Sequence, residues 1–458
     1  MQTKAPLFSI VIPTRNRAHL LGGALQSALA QDFDDYEIVV VANNCQDNTH
    51  EVVARLQTER VKYYATDKTL PMPANWEFAW TKASGQYITY LADDDALVPT
   101  ALSFLAKNTL EDKPPVVSWE DAIYYYPHWN DKKTQNILLL FFYGDTVIED
   151  VPSEIYRKQC AQFSFAWSAP IPKLLNCAVH REFFEAWRVK LGLLFFPIAP
   201  DYSFAWIATQ ICSTTRVVHR PLTVRGISDY SIGSNAGMGE AAQEFYREFG
   251  NVDLFADTLV RIPTTLNQLA ATFLRVNAAF RQAGIEPEPL DWESFLLAAT
   301  RQFKEVQSWL PDWPLYVPQL LATAQKFSPK LYAEVQAILA APSVSIEEGE
   351  SLHDLRLRTA RMALDYAPNL KNATSKHMGD AQCGRCILGL EKGLLAESAW
   401  AYLYVFGDDL GASSPYDMCL QVNRYYELLL RCREKQKKAL ARHTQGRFSS
   451  RRRSQPPG

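Results

Sequence analysis

Long hydrophobic runs are missing from this chain of 458 residues. Its longest apolar stretches, Ile137 to Tyr143 and Leu191 to Ala199, are much shorter than the run of about 18 residues that a membrane-spanning helix needs. The amino-terminal residues MQTKAPLFSIVIP contain no apolar segment followed by a cleavage site, so no secretory leader is predicted. These absences predict a cytoplasmic protein whose contact with a membrane, if there is one, is peripheral and at the inner face.

Cysteine and an excess of one charge are scarce as well. The eight cysteines are few for this length, and we expect them to be free thiols in a reducing compartment. A formal net charge of −3 excludes a chain-wide nucleic-acid surface, and no nucleic-acid partner is predicted. The small sum hides an uneven distribution, because Arg431 to Arg453 holds ten lysines and arginines against one acid.

Three hypotheses account for this basic C-terminal segment. It could form an amphipathic helix whose cations lie on anionic lipid, which would place the protein beside lipid-linked molecules. It could equally be a solvated last helix followed by a disordered basic tail over 446–458, or a nucleic-acid tail. The composition leaves all three open.

The first third of the chain alternates strand and helix signals, which predicts βαβ units and a parallel sheet. The predicted strands are Phe8–Pro13, Tyr36–Ala42, Val61–Ala65 and Tyr87–Leu91, with helices between them. After about residue 240 helical periodicity dominates, as in Thr265 to Ala283. We therefore predict an α/β domain over 1–240, a mostly helical domain over 241–445 and the tail over 446–458.

Three consecutive carboxylates, Asp93, Asp94 and Asp95, follow the fourth predicted strand. Ligands of parallel sheets bind at the carboxyl ends of the strands, where the loops Pro13–Arg17 and Asn43–Asn48 also lie. Crowded carboxylates at a buried edge are unfavourable unless a cation neutralises them, and Mg²⁺ or Mn²⁺ with a diphosphate would do so. The alternative is a solvated Asp-rich turn that caps a helix predicted over Ala96–Lys107.

Three blocks of sequence resemble a known family. The blocks are SIVIPTRNR from Ser9, EIVVVANNCQDNT from Glu37 and NWEFAWTKASGQYITYLADDDALVP from Asn75, and in this order they resemble the nucleotide-binding half of family 2 glycosyltransferases. Pro172 to Gly233 resembles the second half of one bacterial branch of that family. The resemblance implies a GT-A nucleotide-diphospho-sugar transferase fold with a Rossmann-like mixed sheet, followed here by the mostly α-helical C-terminal domain.

The family's reaction is an inverting transfer of a sugar from a nucleoside-diphosphate donor, most often UDP-linked, to a glycan or lipid-linked acceptor. Such enzymes commonly build surface polysaccharides or glycoconjugates and use Mn²⁺ or Mg²⁺. By position, the resemblance implies that Asp93 holds the ribose, Asp94 binds the metal with Asp95 in support, and Asp201 is the general base. The implied nucleotide-sugar-binding residues are Pro13, Thr14, Arg15, Asn43, Asn75 and Asp93.

Two departures from the family pattern leave alternatives open. Asn43 stands where many members carry an acid, so the identity of the base is in doubt, and Ala92 stands where many place the first Asp of the acidic motif. A non-catalytic nucleotide-sugar-binding or scaffold protein that acts through its helical half is the alternative function. Asp201 could also be an ordinary acid at a helix N-terminus, and Gly226 to Gly239 is either a mobile lid or a surface loop.

Overall fold

The computed structural model describes residues 5–129, 135–142, 147–164, 170–229, 231, 245–250, 253–307, 310, 313–341, 386–392, 399–406, 412–422 and 426. The basic segment over 431–453 and the predicted tail over 446–458 lie outside the described residues, so the three hypotheses for them stay predictions.

The N-terminal part of the chain alternates strands and helices as predicted. Its elements are β1 (Phe8–Thr14), α1 (Ala18–Leu29), β2 (Tyr36–Ala42), α2 (Thr49–Ala54), β3 (Val61–Ala65), α3 (Met72–Trp80), β4 (Tyr87–Tyr90), β5 (Ala96–Leu97), α4 (Ala101–Asn108) and β6 (Val116–Tyr125). They continue with β7 (Ile137–Phe142), β8 (Ile148–Pro152), α5 (Ser153–Ala161), β9 (Cys177–His180), α6 (Arg181–Leu191), α7 (Pro200–Ile211) and β10 (Thr214–Ile227).

The later part of the chain is mainly helical. Its elements are α8 (Thr265–Gln282), α9 (Trp292–Val306), α10 (Trp313–Phe327), α11 (Pro329–Ala340), β11 (Cys386–Lys392) and β12 (Ala399–Phe406). The two strands are an addition to the region that the sequence predicts as helical, and β12 extends the sheet by pairing with β7. No helix among the described residues is long and apolar enough to cross a membrane.

One mixed sheet organises the molecule. Strands β3, β2, β1 and β4 lie side by side and parallel, and β9 and β6 follow in antiparallel pairs. Strand β10 is parallel to β6, so the carboxyl ends of β1, β2, β4, β6 and β10 all lie at the same edge of the sheet. Because ligands bind at that edge in open α/β sheets, it is the candidate site.

Alternate residues of each central strand enter two different cores, as the period-two geometry of a strand requires. Ile10 and Val40 face α1 and α4 on one side, whereas Val11 and Val39 face a larger cluster on the other. This larger core also contains residues of α7 and of α8 to α11. For example, the buried Trp206 donates a hydrogen bond from Nε1 to Asn277 Oδ1 at 2.7 Å.

The α/β class with a following, mostly helical region is confirmed by these elements. The boundary at residue 240 stays a prediction. It is based on a change in the character of the sequence, whereas the larger core takes side chains from both sides of that residue.

Candidate active site

The acidic triplet lies beside the end of β1. Strands β1 and β4 pair in parallel with Val11 opposite Tyr90, which brings the residues after both strands together. Thr14 donates a hydrogen bond from Oγ1 to Asp93 Oδ2 at 2.7 Å. All three aspartates are buried, with at most 6% of each residue exposed.

The triplet does not cap a helix. The residues that follow it form strand β5, whose Ala96 pairs with Val224 of β10, and α4 begins only at Ala101. The helix predicted over Ala96–Lys107 is therefore wrong at its start, because pairing with β10 takes its first residues into the sheet. This removes the helix-capping alternative.

Arg17 supplies the positive charge nearest to the triplet. Its Nη1 lies 3.0 Å from Asp93 Oδ1 and 3.7 Å from Asp94 Oδ2. Ser231 donates a hydrogen bond from Oγ to Asp94 Oδ2 at 2.8 Å. Neither residue is given a role by the sequence: Arg17 stands in the first motif block, and Ser231 has no local signal beyond its place in a Gly/Ser-rich segment.

Burial raises the pKa of Asp94 and of Asp95 above the ordinary aspartate value, and the neighbouring carboxylates raise both further. Arg17 lowers the pKa of Asp94, and the Gly226 N–H and Arg225 lower that of Asp95. The ionised forms of these carboxyls are therefore unfavourable in their buried position. A hard cation would stabilise them, and carboxylate oxygens are the donors that such a cation prefers.

The described residues contain no group of three or more His, Cys, Asp or Glu side chains arranged to hold a metal ion. A cation at Asp94 would therefore need oxygen atoms from a ligand. Magnesium is commonly held in this way, by one or two carboxylates plus substrate phosphates. The donor set thus fits a cation that arrives with a diphosphate.

The end of β10 packs directly on the triplet. The Gly226 N–H donates to Asp95 Oδ1 at 2.8 Å, and Tyr126 donates from its hydroxyl to the Asp94 carbonyl at 3.3 Å. A side chain at position 226 would overlap the Asp94 carbonyl oxygen. Gly226 is thus fixed in a strand. Residue 230 and residues 232–239 lie outside the described residues, so the choice between a lid and a surface loop over Gly226–Gly239 stays open.

Asp201, the predicted base, lies in the first turn of α7 and is partly exposed. Burial raises the pKa of its carboxyl, which the Tyr202 N–H, Lys173 and Arg225 lower in turn. Arg225 forms an ion pair with Asp121 at 3.0 Å and also lowers the pKa of Asp95. The structure therefore places Asp201 and the triplet in the electrostatic field of one partly buried guanidinium, that of Arg225, while the role of Asp201 stays a prediction.

Asn43 holds a neighbouring loop. Its Nδ2 donates to the Leu70 carbonyl at 2.8 Å, and its Oδ1 accepts from the Leu70 N–H at 2.9 Å and from Thr66 Oγ1 at 3.2 Å. In this arrangement the loop after β3 engages both the amide nitrogen and the amide oxygen of Asn43. The predicted contact between Asn43 and a nucleotide base would therefore have to share these atoms with the loop.

The remaining predicted nucleotide-sugar residues surround the same edge. Pro13 is partly buried and precedes Thr14, and Arg15 forms an ion pair with Glu248 from the segment that precedes α8. Asn75 is buried in α3, and its Oδ1 accepts no hydrogen bond from the described residues. A buried acceptor of this kind is costly unless a ligand or water donates to it, while the role of Asn75 in binding a nucleotide sugar stays a prediction.

Similarity to a known protein family is found in the part of the chain that forms this site. The model of the family described as "Glycosyl transferase family 2" matches residues 9–167. This match and the mixed sheet confirm the GT-A class predicted from the sequence.

Two curated relatives have names that give an activity. The chain is 39% identical over 109 residues to "GalNAc(5)-diNAcBac-PP-undecaprenol beta-1,3-glucosyltransferase" of Campylobacter jejuni, a match that covers 23% of this chain and 35% of that protein. It is 27% identical over 108 residues to "UDP-Glc:alpha-D-GlcNAc-diphosphoundecaprenol beta-1,3-glucosyltransferase WfgD" of Escherichia coli, covering 23% of this chain and 43% of that protein. The chain thus spans less than half the length of each relative.

Among solved structures, the chain is similar to residues 1–349 of TarS from S. aureus in complex with UDP-GlcNAc. The TM-score is 0.43 at 14% identity, and the alignment covers 73% of this chain and 87% of that chain.

Proposed function

Since residues 9–167 form a glycosyl transferase family 2 domain, we propose that this chain is an inverting glycosyltransferase. It moves a sugar from a nucleoside diphosphate, UDP most favoured, to a hydroxyl of an acceptor glycan. The single observation that supports the proposal best is the buried acidic triplet, with Arg17 on one side and the end of β10 on the other, at the ligand-binding edge of the sheet.

In the proposed reaction Asp201 acts as the general base. Its carboxylate takes the proton from the acceptor hydroxyl while that oxygen bonds to the anomeric carbon and the bond from this carbon to the diphosphate breaks. A pKa that burial raises makes the carboxylate a stronger base than a solvated aspartate, and Lys173 and Arg225 lower that pKa in turn, which favours the ionised form that a base requires. The attack comes from the face opposite the leaving group, so the anomeric configuration inverts.

Asp93 and Asp94 bind the donor in this proposal. Asp93, which Thr14 and Arg17 orient, contacts the ribose. Asp94, supported by Asp95, would hold Mn²⁺ or Mg²⁺, which would stabilise the negative charge of the departing diphosphate. The raised pKa values of these two acids support the assignment, since a cation favours their ionised forms.

The acceptor is proposed to be lipid-linked. Both relatives named above are described as acting on saccharides joined to undecaprenol through a diphosphate. An acceptor of this kind lies at a membrane surface, where the basic segment over 431–453 would hold the enzyme. Sedimentation with anionic and with neutral vesicles tests that contact, and equal sedimentation with both would refute it.

A donor screen tests the function. The full chain is incubated with UDP-, GDP- and CDP-sugars, with and without Mn²⁺, and with undecaprenyl-diphosphate saccharides as acceptors. Release of the nucleoside diphosphate is measured. We expect release from UDP-sugars that requires the metal, and a product with the inverted anomeric configuration by NMR. Binding of a nucleoside diphosphate without turnover on any acceptor would favour the non-catalytic scaffold instead.

Two variants separate binding from chemistry. Asp201→Asn should lower kcat by about 100- to 10,000-fold, as expected for loss of a general base, while donor binding by calorimetry stays close to wild type. Asp94→Ala should abolish the metal-dependent part of donor binding. Wild-type turnover by Asp201→Asn would eliminate the base assignment without touching the donor site.

A further inference from the structure

The chain before Asp201 is an irregular segment whose position depends on side chains. We call Leu194–Ala199 the base segment, since it leads into the first turn of α7. Its backbone N–H groups bond to side chains rather than to a neighbouring strand. Those of Leu194 and Phe195 donate to Glu77 of α3, and that of Phe196 donates to Ser203 Oγ at 3.0 Å.

The last two N–H groups of the base segment donate to α8. Ile198 and Ala199 both donate to Thr272 Oγ1, at 2.8 and 3.1 Å. Thr272 is completely buried, and its own hydroxyl proton goes to the Gln268 carbonyl at 2.8 Å. A hydroxyl has one proton and two lone pairs, so the capacity of this one is fully used.

Thr272 fixes the segment two residues before the carboxyl that is proposed to take the proton. Ala199 immediately precedes the first residue of α7, and its carbonyl accepts from the Ser203 N–H at 2.8 Å in the first turn of that helix. The point at which Thr272 holds the chain is therefore also the point at which the direction of α7 is set. A shift of about 1 Å in a reacting group can lower a rate about 100-fold, so the support bears on turnover.

We propose that Thr272 is a positioning residue for the base Asp201, and that α8, in the region after residue 240, thereby forms part of the active site. This inference rests on the proposed function and adds to it a role for the helical region. A hydroxyl at position 272 is needed because only an acceptor there satisfies two backbone N–H groups of the base segment at once.

The chain offers a closely matched control. Thr300 of α9 is also completely buried in a helix, and its Oγ1 donates to the Leu296 carbonyl at 2.6 Å. Thr300→Val loses the same kind of bond within a helix as Thr272→Val, but it leaves the base segment untouched. The difference in kcat between the two variants therefore measures the effect of removing the acceptor for the N–H groups of Ile198 and Ala199.

The test compares steady-state kinetics of the full chain with the best donor from the screen, at a temperature where circular dichroism shows every variant folded. We expect Thr272→Val to lower kcat about 10- to 100-fold, while the donor KM stays within about twofold. Thr272→Ser, which keeps the acceptor, should restore most of kcat, and Thr300→Val should retain wild-type kcat. If Thr272→Val does not fold, Thr272→Cys is measured in its place, because a thiol is a weaker acceptor than the hydroxyl, although the side chain also lacks the threonine methyl group.

Three results would overturn the inference. One is equal kcat for Thr272→Val and Thr300→Val, and another is failure of Thr272→Ser to recover activity that Thr272→Val or Thr272→Cys has lost. The third is a rise in the donor KM that accounts for the whole loss, because Thr272 would then act on binding. A wild type inactive with every donor would instead refute the proposed function, and the positioning role with it, so the two failures are distinguishable.

Discussion

Gly226→Ala should destabilise the protein and lower its turnover, because position 226 has no room for a Cβ. The added Cβ would overlap the Asp94 carbonyl oxygen and would lie 2.8 Å from Tyr126 Cε2 and 3.0 Å from the Asp94 carbonyl carbon. The oxygen belongs to a backbone held in the turn between β4 and β5, so no side-chain rotation relieves the clash. Either β10 or the triplet has to move.

The cost can be worked from two contributions. Overpacking of a tight buried contact costs about 1 to 3 kcal/mol. A displacement large enough to relieve it also breaks the bond from the Gly226 N–H to Asp95 Oδ1, and a lost hydrogen bond to a buried carboxylate costs about 1.5 to 3 kcal/mol. We therefore expect the free energy of unfolding to fall by about 2.5 to 6 kcal/mol, and donor turnover to fall about 100-fold.

Urea unfolding of the full chain measures the first quantity, and Gly22→Ala is the matched control. Gly22 lies within α1 and a Cβ there would have no heavy atom within 4 Å, so the same substitution should stabilise the helix by about 0.5 to 1 kcal/mol. A urea midpoint for Gly226→Ala at or above that of the wild type would refute the packing argument. Normal turnover with lowered stability would refute the coupling to the site.

Two further predictions concern buried charge. Arg17→Gln removes the counter-ion of Asp93 and Asp94, so unfolding free energy should fall by about 3 kcal/mol at pH 8. Without Arg17 the pKa of Asp94 rises further, so the loss of stability should shrink as the pH falls and the carboxyl takes a proton. Urea unfolding of wild type and variant at pH 8 and at pH 5 measures this loss. An equal loss at both pH values would contradict the reasoning. The second prediction concerns Glu120 and His219. Burial raises the pKa of Glu120 to about 7. Burial lowers the pKa of His219, but the carboxylates of Glu120 and Glu149 raise it by more. The folded pair therefore binds more protons than the unfolded chain between about pH 5 and 7, and its contribution to stability is lost as the pH rises through that range. Relative to Glu120→Gln, the wild type should gain about 2 kcal/mol on going from pH 8 to pH 5, and a constant difference between the two proteins would refute the assignment.

The sequence predicts strands well where a strand is buried on both faces. Strand β2 is a nearly continuous apolar run, and its bounds, Tyr36–Ala42, agree with the prediction. The bounds of β3, Val61–Ala65, also agree with the prediction. These signals are local, so one sequence is enough to find them.

Strand predictions fail where polar residues or proline interrupt a long strand. Apolar residues at 116–119 and 123–126 predict two short strands, separated by Glu120 and Asp121. The structure has one strand, β6, in which these two acids are buried and paired with His219 and Arg225. Similarly, the apolar run after Thr215 predicts a strand that ends at His219, whereas β10 continues to Ile227, because register shifts around Pro221 absorb its missing N–H. The partners that make these residues tolerable are about 100 positions away and leave no local signal.

Site residues follow the same division. Asp93, Asp94 and Asp95 can be predicted because they are consecutive and follow a buried strand. Arg17 lies next to them only because β1 and β4 are neighbours, and Thr272 approaches the base segment only because α8 packs against α7. Such contacts are products of the tertiary fold, and neither residue type is unusual at its own position.

The bond between Trp206 and Asn277 has a practical consequence for dividing this protein. A fragment that ends at residue 240 would keep Trp206 but lose Asn277 and the ring of Phe273, which stacks on the indole with a centroid distance of 4.9 Å. The fragment would present a buried tryptophan face to water and would be prone to aggregate. A chimaera that joins residues 1–240 of this chain to another C-terminal region would meet the same obstacle, unless it also includes α8.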